Sequence, residues 1–268
     1  FSFGTRAFER GFDQSELNEF VLYDYRVDIP FGLATLSIGK QKETVSLSRL
    51  SGMIFEPAQQ ERASVIDGLL TARNVGIVIN RSFFNKRMTG AVGIFNNWYE
   101  AGRSFSNNPT IFTGRVSSLP LISEDESNLL HLGISGRYSN AAAGIRYQAR
   151  TEIYNGPGSL DTELIEDASS TFLYGLELAW RKGPFILTTE YVQTNVQSSM
   201  YNNPSFKGYN VVASYIITGE MRKYNKRSGL FNRVRTANAV SSGGWGTWEV
   251  FGRWSAFDLT DNAIMGGE

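Results

Sequence analysis

TFLYGLELAWRKGPFILTTEYVQT, residues Thr171 to Thr194, consists of two alternating runs joined by a tight turn. Phe172, Tyr174, Leu176, Leu178 and Trp180 share one parity, and Gly175, Glu177, Ala179 and Arg181 the other, as in a strand with two unlike faces. Arg181-Lys182-Gly183-Pro184 reverses the chain, after which Phe185, Leu187, Thr189 and Tyr191 alternate with Ile186, Thr188, Glu190 and Val192. Each run is about ten residues long with aromatics near its ends, the length a tilted strand needs to cross a bilayer. The hairpin predicts a transmembrane antiparallel β-barrel.

Composition agrees with that expectation. The 27 glycines, 13% aromatic content and short, evenly spaced patterns among 268 residues indicate a single all-β domain over 1–268. Lys plus Arg and Asp plus Glu both total 26, so no whole-chain field favours nucleic acid. With no cysteine and His131 as the single histidine, neither a metal centre nor a cofactor is expected. There is no G-x-S-x-G, H-E-x-x-H or P-loop, and the carboxylates are scattered, so the chain does not read as an enzyme. No apolar run approaches the roughly 18 residues of a spanning helix. The opening FSFGTRAF looks like mid-strand, and the chain reads as truncated at both ends.

Further strands are expected within Phe1–Phe8, Phe20–Ile29, Leu33–Gln41, Arg73–Arg81, Thr89–Asn96, Ile111–Leu119, Leu129–Tyr138, from Tyr209 through Ile217, and Thr247–Phe257, giving about eleven in all. Ala143–Glu152 also alternates. Bacterial barrels, however, keep turns short at the periplasmic end and loops long outside. Fixing the turn at Arg181–Pro184 as periplasmic makes 139–169 one external connection, like 42–72. It also puts the long segment 219–246 on the periplasmic side, where Arg222, Lys223, Lys226, Arg227, Arg233 and Arg235 face the single acid Glu220. Arg137 and Arg253 lie at lumen parity, as do Asp24, Asp28, Glu177, Glu190 and Glu249. His131 reads as a wall residue hydrogen-bonded to its neighbours.

The chain resembles the phosphate-selective porin O and P family of Gram-negative outer membranes. The likeness runs through Ile38-Gly39-Lys40-Gln41-Lys42-Glu43, Ser46-Leu47-Ser48-Arg49-Leu50, Glu61-Arg62, Arg73-Asn74-Val75-Gly76, Leu129-Leu130-His131-Leu132-Gly133, Gly175-Leu176-Glu177-Leu178-Ala179, Ser214 to Glu220, and Gly243 to Ser255. It implies a homotrimer of barrels of about sixteen strands, embedded in outer-membrane lipid and lipopolysaccharide and narrowed by inward-folded loops, here 42–72 and 139–169. It implies an anion-passing function, with Lys42 beside the constriction, Arg73 at a family arginine, Arg62 in a shared pair, and Arg146 and Arg150 in the second inward loop. Thr44, Thr151 and Thr236 stand where the family often has Pro.

An ion entering a narrow pore must recover its solvation, and Arg offers a planar fork of donors while Lys offers a mobile point charge. Several modest sites in series conduct better than one deep one. The expected path for phosphate or related small anions uses Lys42, Arg62, Arg73, Arg137, Arg146, Arg150, Arg222, Lys226, Arg227, Arg233, Arg235 and Arg253. Two alternatives stay open: a broad-specificity porin, because the lumen acids offset these cations, or a non-conducting barrel that docks an envelope complex. A soluble sandwich would require the apolar strand faces to cover each other.

Overall fold

The computed structural model describes residues 2–5, 22–51, 62–98, 104–141, 143–150, 152, 158–261 and 264–267. Eleven strands form one antiparallel sheet: β1 (Ser2–Thr5), β2 (Leu22–Phe31), β3 (Ala34–Gln41), β4 (Asn74–Phe83), β5 (Met88–Phe95), β6 (Ile111–Ile122), β7 (Asn128–Asn140), β8 (Ser170–Lys182), β9 (Phe185–Gln197), β10 (Ser205–Ile216) and β11 (Glu249–Asp258). Each strand pairs with its neighbours in sequence, and the two edges, β1 and β11, are not joined to each other among the described residues. Parts of the expected Phe1–Phe8 strand and of the 42–72 and 139–169 connections lie outside the described residues.

The decisive hairpin is β8–β9, in unbroken register from Ser170↔Gln197 to Lys182↔Phe185. Its loop is only Gly183-Pro184, tighter than the expected four residues, because Arg181 and Lys182 stay in the ladder and Gly183 supplies a positive φ of 57°. β7 pairs directly with β8, Arg137 opposite Leu173, so everything between them is one connection. Within it, Gln148–Arg150 pairs with Gly158–Asp161 in a separate two-stranded sheet rather than with the wall.

The faces of the sheet are reversed relative to a soluble sandwich. Ile79, Val92, Val116, Ile134, Leu176, Tyr215 and Trp254 are exposed on one face, and no second sheet covers them among the described residues. On the other, Arg115, His131, Glu177, Arg181 and Glu190 are each 4% exposed or less. Soluble monomers rarely expose a contiguous apolar band of this extent, whereas a barrel in lipid requires one. No described helix is long and apolar enough to cross a membrane.

The inner face is filled from both ends. At the loop end, the connection after β3 carries α1 (Leu47–Ser51) and α2 (Ser64–Leu69). Val65, Ile66 and Leu69 join Tyr147, Ile165 and the inward wall residues Leu173, Val192, Phe206 and Phe257 in one apolar core. At the turn end, residues 217–248 send a small hairpin inward, Tyr224–Asn225 against Leu230–Phe231. Tyr224 and Phe231 pack with Leu119, Leu129, Ala179, Ile186 and Leu47 of α1, so elements from opposite ends of the sheet meet inside it.

Candidate functional site

Arginine–carboxylate pairs tie the inner face together. Arg115 of β6 grips Glu177 of β8 with Nε at 3.0 Å and Nη2 at 2.7 Å, and His131 Nε2 of β7 lies 3.3 Å from the same carboxylate. Gly133, opposite Glu177, leaves room for it: a Cβ there would lie 2.6 Å from Oε2. Arg137 donates to Glu43 at 2.6 Å, and Glu43 also accepts from Asn74 at 2.5 Å and Thr71 at 2.7 Å. Arg222 Nη2 donates to both oxygens of Glu249 at 2.6 and 2.7 Å, Arg73 is bidentate on Asp24 at 2.9 and 3.0 Å, and Arg253 pairs with Glu152. Buried charges persist only when paired and hydrogen-bonded in this way.

The inserted hairpin rests on this framework. Tyr224 Oη and His131 Nδ1 share a 2.7 Å hydrogen bond, and Arg115 Nη2 donates to the Gly229 carbonyl at 3.1 Å. Burial pushes the Tyr224 hydroxyl above its usual range. Arg181 holds the base by donating to the Arg222 and Glu126 carbonyls, and Lys226 pairs with Glu126. At the tip, Gly229 has φ +67°, and a Cβ there would fall 2.3 Å from Ser117 Oγ and 2.4 Å from Thr89 Oγ1. Gly229→Val is therefore expected to cost about 1–3 kcal/mol of local packing and to unseat the hairpin. Limited trypsin digestion should then cut faster around Lys223–Arg235, and an unchanged cleavage rate would refute this seating.

The structure separates the predicted cations into three groups. Arg73, Arg137, Arg222 and Arg253 are held in the pairs above, and Arg146 pairs with Asp161, Nε donating at 2.9 Å. That pairing holds the half-buried Asp161 carboxyl well below the usual range. Arg227, Arg233 and Arg235 are exposed along the turn-end segment and make no ion pair among the described residues. Arg150 is half-buried, with its carbonyl accepting from Ser64 Oγ at 2.7 Å.

Lys42 and Arg62 form the third group together with Arg49, which the sequence reading passed over. Lys42 leaves the end of β3 and donates to the Leu50 carbonyl at 3.1 Å. Burial, then repulsion from Arg62 and Arg73, brings its ammonium down to about 7. Arg49, buried in α1, donates to the carbonyls of Ile66 at 2.8 Å and Leu70 at 2.5 Å and lies 3.0 Å from Asp67. Desolvation lowers it to about 10. Arg62 also reaches Asp67, at 3.6 Å. Four cations, Lys42, Arg49, Arg62 and Arg73, thus lie near the acids Asp24 and Asp67, with Glu43 also acting on Arg49, an arrangement that offers an anion N–H donors and positive charge.

Thr44 shares a 2.6 Å hydrogen bond with Thr113 of β6, which binds this connection to the wall. Arg115 was within reach of sequence reasoning: Thr113, Arg115 and Ser117 alternate with Phe112, Gly114 and Val116, which puts Arg115 inside. Arg49 lies in an irregular run whose direction no periodicity reveals.

The sequence model of the family described as phosphate-selective porin O and P matches residues 7–268. An uncharacterized protein of Caulobacter vibrioides is 26% identical over 263 residues, 94% of this chain and 52% of that protein. Porin O of Pseudomonas aeruginosa is 32% identical over 95 residues, 35% of this chain and 21% of that protein. The chain thus spans about half the length of the first relative, and the 95-residue match covers about a fifth of the second.

Proposed function

We propose, since this chain belongs to the phosphate-selective porin O and P family, that it forms the wall and constriction of a passive channel for phosphate or related small anions in a Gram-negative outer membrane. The observation that carries this reading is the Lys42–Arg49–Arg62–Arg73 cluster, where burial first and then repulsion from Arg62 and Arg73 bring the lysine to about 7. An anion bound there relieves that repulsion. On this reading 42–72 and 139–169 are external connections folded into the lumen, 219–246 is a periplasmic segment, and Arg227, Arg233 and Arg235 form a basic exit. The apolar band contacts lipid and lipopolysaccharide, and the barrel assembles as a homotrimer. Arg137, Arg222 and Arg253 serve mainly as struts, since their charge is taken up by carboxylates. In the same pairs Asp24, Glu177 and Glu249 are offset one for one by Arg73, Arg115 and Arg222.

The test is planar-bilayer recording of the complete protein in chloride with phosphate added. Chloride conductance should fall as phosphate occupies the cluster. Conductance indifferent to phosphate would favour a broad-specificity pore. The apolar contact of Leu47 with Phe231 favours a second reading, a plugged barrel that docks an envelope complex; no conductance at all, with a stable co-purified partner, would establish that instead.

A further inference from the structure

Glu190 stands on β9, inner parity, 3% exposed. At sequence level it is simply a lumen acid that weakens anion preference. In the fold its carboxylate is met by the start of α1. Oε2 accepts from Ser46 Oγ at 2.6 Å and Leu47 N at 2.9 Å, and Oε1 accepts from Ser48 N at 2.9 Å and from Ser48 Oγ. Ser46, Leu47 and Ser48 are all buried, so these donors have little water to turn to. The backbone bends to deliver them: Ser46 has φ +69°, a left-handed conformation that costs a non-glycine residue about 1 kcal/mol or more.

Two connections run onward from α1. The Leu50 carbonyl accepts from Lys42 Nζ at 3.1 Å, and Arg49 ties α1 to the Ile66 and Leu70 carbonyls and to Asp67. The opposite side of α1 rests on Tyr224 and Phe231 through Leu47. An apolar contact of that kind is non-directional and tolerates sliding, whereas four hydrogen bonds to one carboxylate set both place and rotation.

We infer that Glu190 is a positioning residue for ion selectivity, fixing α1 so that the Leu50 carbonyl aims the Lys42 amine into the anion path. This rests on the anion-channel reading above. Its sign separates it from plain electrostatics. Removing a buried negative charge should by itself raise anion preference, while loss of position lowers it.

The experiment measures phosphate block and the chloride-to-potassium permeability ratio of the complete protein in planar bilayers. Glu190→Gln should weaken block about fivefold and lower the ratio, and in a Lys42→Gln background, where no position is left to lose, it should lower neither further. Ser46→Ala with Ser48→Ala removes donors from the loop side while leaving the Glu190 charge in place, and should act in the same direction. A rise in anion preference for Glu190→Gln, an unchanged block in the serine variant, or full additivity with Lys42→Gln would overturn the inference. A wild type with no anion preference would remove the channel reading and this inference together. Loss of unfolding stability alone, with selectivity intact, marks Glu190 as merely structural and also overturns it.

Discussion

Lys42→Gln is expected to weaken phosphate block about ten- to a hundredfold, the loss of one charge-assisted hydrogen bond worth roughly 1.5–3 kcal/mol. The same lysine predicts a pH dependence. Its value of about 7, set by burial and then by Arg62 and Arg73, means that the amine is charged below neutrality and uncharged above it. Anion affinity should be full near pH 6 and fall as pH rises through 7. Sulfate is the probe of choice, because it keeps its charge across this range while phosphate titrates. Stability should move the other way. Between about 7 and the ordinary lysine value of 10.5, the unfolded chain holds a proton that the folded chain has released, so folding is favoured as pH rises. Lys42→Arg, charged throughout, should flatten both profiles. Sulfate block that is constant from pH 6 to 8 in the wild type would exclude Lys42 from the path.

Glu177→Ala is expected to be the most destabilising wall substitution, by about 3–5 kcal/mol, because it strands a buried guanidinium. The Arg115 and Glu177 side chains are 3% and 1% exposed, and His131 leans on the same carboxylate. The damage should spread to the hairpin, since Arg115 also holds the Gly229 carbonyl and His131 holds Tyr224. Replacing Arg115 and Glu177 together by Met and Leu removes the stranded charge and should recover much of the loss. Urea unfolding in detergent measures both variants. A shift below about 1 kcal/mol for the single substitution, within the range of an exposed pair, would mean that the pair is not buried as described.

These two cases show what was legible before the structure. Alternation put Glu177, Glu190, Arg137 and Arg253 on the inner parity, because a strand's side-chain period of two leaves no other choice once one face is apolar. The topological argument from one short turn likewise removed Ala143–Glu152 from the wall, and the β7–β8 pairing agrees. Two features stayed hidden. The turn at Gly183-Pro184 is two residues shorter than expected because ladder bonds extend to Lys182, a matter of pairing and not of composition. The inward hairpin was hidden because Arg222–Arg235 looks like any solvated basic run; its two apolar anchors, Tyr224 and Phe231, gain meaning only from the cavity that receives them.

The sequence by itself determined the antiparallel meander, the two unlike faces of its strands and the inventory of inner charges, since each follows from local periodicity and the length of a bilayer crossing. Only the tertiary structure decided which charges are paired with one another and which are not. Glu190 and Ser46 are 144 residues apart, and Arg115 and Glu177 are 62. Whether an inner-face acid such as Glu190 stands alone or holds a loop in place depends on contacts across the sheet, which no local pattern encodes.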